Sequence, residues 1–164
     1  MTDRAAEPRT PRSSEAVVAD MMMPHQANGL RRPSVFGGVV MSMVDRCSAL
    51  SAMRHARGQV TTLSIDRILF KEPIRVGELV EVRSRVVRVG RTSMSVLAEV
   101  YAEHIATGVR RHTNECWLTF VHLDEEGRPA PVPPLLLETD EDRQLNDIAT
   151  RRREQLLGEL SEAS

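Results

Sequence analysis

Aromatic side chains are scarce in this chain: Phe36, Phe70, Phe120, Tyr101 and Trp117 are the whole set. No row of rings is available on which successive nucleic-acid bases could stack. An excess of either charge is missing too, since 22 basic residues face 23 acidic ones. That balance excludes broad electrostatic attraction to nucleic acid or to a membrane surface, so neither is expected as a partner. Lysine is reduced to Lys71, and arginine carries the positive charge, in a form suited to bidentate phosphate contacts. Only Cys47 and Cys116 carry thiols, both inside apolar patterns. They read as small buried hydrophobes in a reducing compartment. There is no Cys-x-x-Cys, and the five His are scattered, so no metal site is expected. No apolar run approaches membrane-spanning length, and the first residues lack a signal-peptide core. The expectation is a soluble, cytoplasmic protein.

What is there is organised around Phe36 to Ala56, a mostly apolar stretch entered through Gly37-Gly38 and free of proline. Its spacing predicts one long helix. Val40, Met43, Val44, Cys47 and Leu50 share a broad apolar face, and Met41, Asp45, Ser48, Ala49 and Ala52 form a neighbouring stripe of mostly small residues. Asp45 is the only carboxylate in that stripe. A carboxylate there is costly to bury unless it is paired or used. Two readings stand side by side: Asp45 faces solvent or an arginine, or it is a general base or nucleophile on a substrate channel.

The rest of the chain reads as strands. Glu15 to Met23 can form a first strand ended by Pro24, and the following loop carries Asn28-Gly29 and Arg31-Arg32-Pro33. After the helix the period changes to two. Gln59 to Phe70, with Leu63, Ile65 and Leu69 on one side, is followed by Leu79 to Val89, Thr92 to Glu103 and Val109 to Leu123. Short turns at Gly90-Arg91 and Thr107-Gly108 imply antiparallel neighbours, and the four strands after the helix are expected to form a meander. Residues 1–13 are expected to be disordered, 14–124 to form the domain, and 125–164 to be a Pro-rich exit with a charged, partly docked helix. One apolar helix inserted after the first strand, wrapped by a curved antiparallel sheet, is an α+β architecture whose free edge strands favour a homo-oligomer.

Three segments resemble the hotdog-fold acyl-CoA thioesterases, in particular the branch with the YciA-type and brain-type enzymes. They are Met23 to Gly29 followed by Phe36 to Asp45; Val60 to Asp66 with Phe70 to Val80; and Val89 to Met94, with Thr119-Phe120-Val121 closing the sheet. The resemblance implies a hotdog fold and hydrolysis of acyl-CoA to free coenzyme A and a carboxylic acid. Coenzyme A would be part of substrate and product, with no other cofactor. It places the catalytic acid on Asp45 and the catalytic Asn on Asn28, the latter from a neighbouring subunit. It places oxyanion-binding amides at Gly37 and Gly38, and coenzyme A contacts at Arg91, Thr92 and Ser93. A dimer is the implied minimum and a hexamer the expected assembly.

The physical chemistry of these residues agrees. Helix-start amides favour a developing oxyanion, Gly lets a carbonyl approach the backbone, and Arg91 with two hydroxyls suits phosphate. For Arg91, Thr92 and Ser93 an ordinary polar hairpin turn stands as the alternative. This chain departs from the family in a longer loop between Asn28 and Gly37, and in Phe36 where many relatives carry His. Two other functions remain open: a hotdog hydratase or dehydratase, which would need a His beside the acid, and an acyl-CoA-binding protein without turnover.

Overall fold

The computed structural model describes residues 7–66 and 68–162, with side chains of the last helix described to residue 159. Five strands and two helices follow in the order β1 (Ala16–Met21), α1 (Gly37–Ala56), β2 (Gln59–Ile65), β3 (Leu79–Val89), β4 (Ser93–His104), β5 (Val109–Leu123) and α2 (Asp140–Glu162). The strands form one antiparallel sheet in the order β1-β3-β4-β5-β2.

Alternation along β3, β4 and β5 sends Val82, Val86, Met94, Val96, Ala98, Val100, Leu118 and Phe120 to one face, where all are buried. That face wraps α1, which contributes Val40, Met43, Val44, Cys47 and Ala52 to the same core. Each Val, Leu, Met or Phe among them, fully buried, contributes about 1.5–3 kcal/mol. Leu50, expected on this face, is instead 39 % exposed, and Ser48, Ser51 and His55 are buried in its stead. The helix turns small side chains to the sheet: Ser84 Oγ lies 2.7 Å from Ser51 Oγ and donates to the Cys47 carbonyl at 2.9 Å. That close approach rotates Leu50 outward.

The expected four-strand meander is corrected to three. β3, β4 and β5 follow one another, but β2 lies beyond β5 at the far edge. The reason is the connection 66–78, which contains Glu72-Pro73 and is long enough to cross from that edge back to β3. β2 also ends at Ile65 rather than Phe70, with a register shift between Thr62 and Ser64 that leaves Leu63 56 % exposed. The first strand is likewise shorter than expected and pairs with β3.

Residues 7–13, expected to be disordered, have defined partners. Arg9 pairs through its backbone with Pro134 and Leu136, and its guanidinium donates to the His55 carbonyl. Ser14 is buried and accepts the Val86 amide at 2.9 Å. The stretch 1–6 lies outside the described residues. The Pro-rich exit runs along the end of the sheet, held by Ala130 N–H to His122 O and Val132 N–H to Arg91 O. α2 then docks on the outer sheet face, where Leu145, Ile148 and Ala149 pack on Val87, Leu97 and Trp117. Its start is capped reciprocally: Asp142 accepts the Thr139 amide at 3.1 Å, and Thr139 Oγ1 accepts the Asp142 amide at 3.0 Å.

Candidate active site

Asp45 lies on the row Met41, Asp45, Ala49, Met53, one residue per turn along the flank of α1. This row borders β2, which leaves the helix through Arg57 and Gly58 and runs back antiparallel beside it. The consequence is a contact the sequence pattern did not single out: Thr62 Oγ1 donates to Asp45 Oδ1 at 2.8 Å. A hydroxyl donated to one carboxylate oxygen restricts how that side chain can turn. Oδ2 has no protein partner among the described residues. Asp45 is half-buried, with one oxygen held and the other open. The position of a threonine on the strand that follows the helix was the available signal, since β2 must pass the Asp45 stripe.

Asn28 sits in a small hairpin closed by pairing of Ala27 with Val35. Its backbone and side chain bind the far side of that hairpin: the amide donates to Ser34 O at 2.9 Å, Nδ2 to Ser34 Oγ at 2.8 Å, and Oδ1 accepts from Ser34 N at 3.2 Å. The extra loop length is absorbed at the tip, where Gly29 takes φ +63° and Arg31-Arg32 face solvent. Asn28 makes no hydrogen bond to Asp45 within the chain.

Gly37 and Gly38 open α1 with no side-chain cap, and Val39 N–H is taken by the Phe36 carbonyl. Their amides are thus available to an outside acceptor. Two phenyl rings flank them. A Cβ on Gly37 would lie 3.2 Å from Phe70 Cζ, and one on Gly38 3.1 Å from Phe36 Cε1. Asp45 follows Gly38 by seven residues, roughly 10 Å along the axis, and helix N–H bonds point the other way. One carbonyl cannot meet both groups of a single chain.

Arg91, Thr92 and Ser93 form the β3–β4 turn, with Gly90 N–H to Ser93 O at 2.7 Å. Thr92 O accepts the His122 amide. Ser93 and Thr61 both register with Val121, so this turn lies at the end of the sheet where β2 begins. The helix entrance lies at the opposite end. Within one chain the structure joins Asp45 to Thr62 and leaves Asn28, Gly37-Gly38 and the turn apart.

Neither thiol competes as a nucleophile: burial raises Cys47 and pushes Cys116 up to about 12. His55 is buried, lowered by desolvation and held with Nε2 2.9 Å from the Pro133 carbonyl. Among the described residues no group of His, Cys, Asp or Glu is arranged to hold a metal, and no helix is long and apolar enough to cross a membrane.

The family described as the thioesterase superfamily matches residues 33–109. The acyl-CoA thioester hydrolase YkhA of Bacillus subtilis, whose own name calls it uncharacterized, is 37 % identical over 89 % of this chain and 84 % of its own. The chain belongs to the thioesterase superfamily. An acyl-CoA hydrolase of Staphylococcus aureus, solved with butyryl coenzyme A and coenzyme A, superposes with a TM-score of 0.85 at 29 % identity, covering 94 % of this chain and 93 % of that one. That enzyme was also solved as separate variants with an Asn, an Asp or a Thr replaced by Ala. A hexameric acyl-CoA thioesterase matches at a TM-score of 0.85 and 36 % identity, covering 91 % of this chain and 94 % of that one. As a thioesterase-superfamily member the chain has the hotdog fold: its long central helix lies in a curled five-stranded sheet.

Proposed function

We propose that this protein hydrolyses acyl-CoA thioesters to coenzyme A and a carboxylic acid, at a site assembled from two copies of the chain. The observation that carries this reading is Asp45 held by Thr62 on one oxygen and open on the other. In the Staphylococcus aureus enzyme, the Asp and Thr chosen for replacement are separated along the chain as Asp45 and Thr62 are.

Asp45 takes a proton from water as the water oxygen attacks the thioester carbonyl carbon. The carbonyl oxygen becomes negative and is met by the Gly37 and Gly38 amides, aided by the helix dipole. Because these amides are too far from their own Asp45, they and Asn28 come from the partner copy. Collapse breaks the C–S bond, and the coenzyme A sulfur leaves with the proton returned by Asp45. Direct attack by Asp45 is the variant of this route. The reaction needs no added cofactor. Arg91, Thr92 and Ser93 take phosphate of the coenzyme A portion.

Several features support the assembly. Met41 and Met53 beside Asp45 are each 40 % exposed, β2 is an edge strand among the described residues, and Leu63, Ile65 and Phe70 lie exposed on and after it. Such a surface favours burial against a second copy. The proposed assembly is a hexamer built of dimers. A hydratase is disfavoured because His25 is exposed on the short 3-10 turn Pro24–Gln26 and His55 is tied to Pro133.

The test is a panel of acyl-CoA substrates with thiol detection. The reading requires thiol release by the native protein and a loss of more than about a hundredfold in Asp45→Ala. Acyl-CoA binding without thiol release would replace it with the non-catalytic reading, and unchanged activity in Asp45→Ala would remove the mechanism.

A further inference from the structure

Most arginines on this sheet and its exits have acid partners. Arg83 and Arg110 share Glu81, Arg85 meets Glu141, Arg111 meets Glu72 and Glu78, and Arg128 meets Asp124. Arg88 and Arg91, on either side of Gly90, have none, and neither donates a side-chain hydrogen bond among the described residues. Arg88 is half-buried. It follows a register shift in the β3–β4 ladder between Val86 and Arg88, an irregularity that re-aims the side chain beyond it.

Gly90 sits between two polar side chains, close against both. A Cβ there would lie 3.0 Å from Ser93 Oγ and 3.9 Å from Arg88 Nη1. The hydroxyl and the guanidinium therefore lie on the same side of Gly90, near enough to each other for oxygens of one phosphate to meet both. A partly buried guanidinium is screened less than an exposed one, and its planar fork matches a phosphate bidentately.

We propose that Arg88 is a phosphate-binding residue of the enzyme, closing with Ser93 and Arg91 around Gly90 on the nucleotide end of the substrate. This rests on the acyl-CoA reading above and adds to it a residue that grips the phosphates and not the acyl or pantetheine parts. Arg91, exposed, supplies long-range attraction; Arg88 and the Ser93 hydroxyl supply the directional contacts.

The experiment compares two substrates with the same acyl group, acyl-CoA and acyl-pantetheine, which lacks the phosphates. In Arg88→Gln, KM for acyl-CoA rises roughly tenfold while kcat holds, and KM for acyl-pantetheine does not move. 3′,5′-ADP, a phosphate-bearing fragment without the thioester, binds the native protein and binds Arg88→Gln roughly tenfold more weakly by calorimetry. Equal KM shifts for both substrates, or no shift for either, would overturn the proposal. The calorimetric arm needs no turnover. If the native protein releases no thiol from any acyl-CoA, the function fails, while loss of 3′,5′-ADP binding in Arg88→Gln would still uphold the phosphate site.

Discussion

Thr62 on the edge strand and Asp45 on the central helix are joined by a 2.8 Å hydrogen bond, although 17 residues separate them in sequence. The bond exists because β2 turns back directly after α1 and runs beside it. It links the part of the chain that carries the acid to an edge strand of the sheet, so the acid is oriented by the same element that borders the proposed partner.

Replacing Thr62 with Val keeps the β-branched shape and removes the donor. With Oδ1 released, the carboxylate turns more freely, and kcat falls about tenfold or more with little change in thermal midpoint. Thr62→Ser keeps the hydroxyl and stays within a few-fold of native activity. Steady-state kinetics and a melting curve on each variant decide it. A native kcat in Thr62→Val would mean that the bond only fastens the helix to the strand.

Period and punctuation made much of the fold legible: β3 and β5 lie where alternation put them, and α1 starts one residue after its expected first residue. What failed depended on long-range order. Sequence order alone puts β2 next to β3, yet strand order is decided by where the 66–78 connection can reach. Spacing alone puts Leu50 in the core, whereas the serine contacts between α1 and β3 set which face seats. The candidate site was legible as residue types, but its assembly was not. Asp45 found a partner in Thr62, while Asn28 spends its side chain within its own hairpin, and the turn at Arg91 lies at the opposite end of the sheet from Gly37.

His55 predicts how stability responds to acid. Its ring is fully buried, Nε2 meets the Pro133 carbonyl, and Nδ1 has no hydrogen-bond partner among the described residues. Desolvation, with Arg9 nearby, lowers its pKa below the unfolded value, which is about 6.5. The unfolded chain therefore binds more protons than the folded one across that window. The stability from a neutral His55 is complete above the unfolded pKa and is lost as pH falls through the folded one. Urea unfolding at pH 8 and at pH 5 should show the midpoint falling in acid, and less so in His55→Gln. A His55→Gln variant with the native pH dependence would assign the effect to other groups.

The two-copy site can be tested by rescue between two inactive proteins. Asp45→Ala retains an intact Asn28, and Asn28→Ala retains an intact Asp45. In a mixed pair, one of the two sites receives native Asp45 from one chain and native Asn28 from the other, while the second site receives both defects. Co-expression with two tags and random pairing makes half of the pairs mixed, so activity recovers to about a quarter of native. If both residues served a site within one chain, every site would carry a defect and no recovery would occur. Because Asn28 also holds its loop through Ser34 at 2.8 Å, Ser34→Ala is the control: it loosens the loop without removing the amide. Recovery in the mixed pairs would establish that the acid and the amide meet across the boundary between copies.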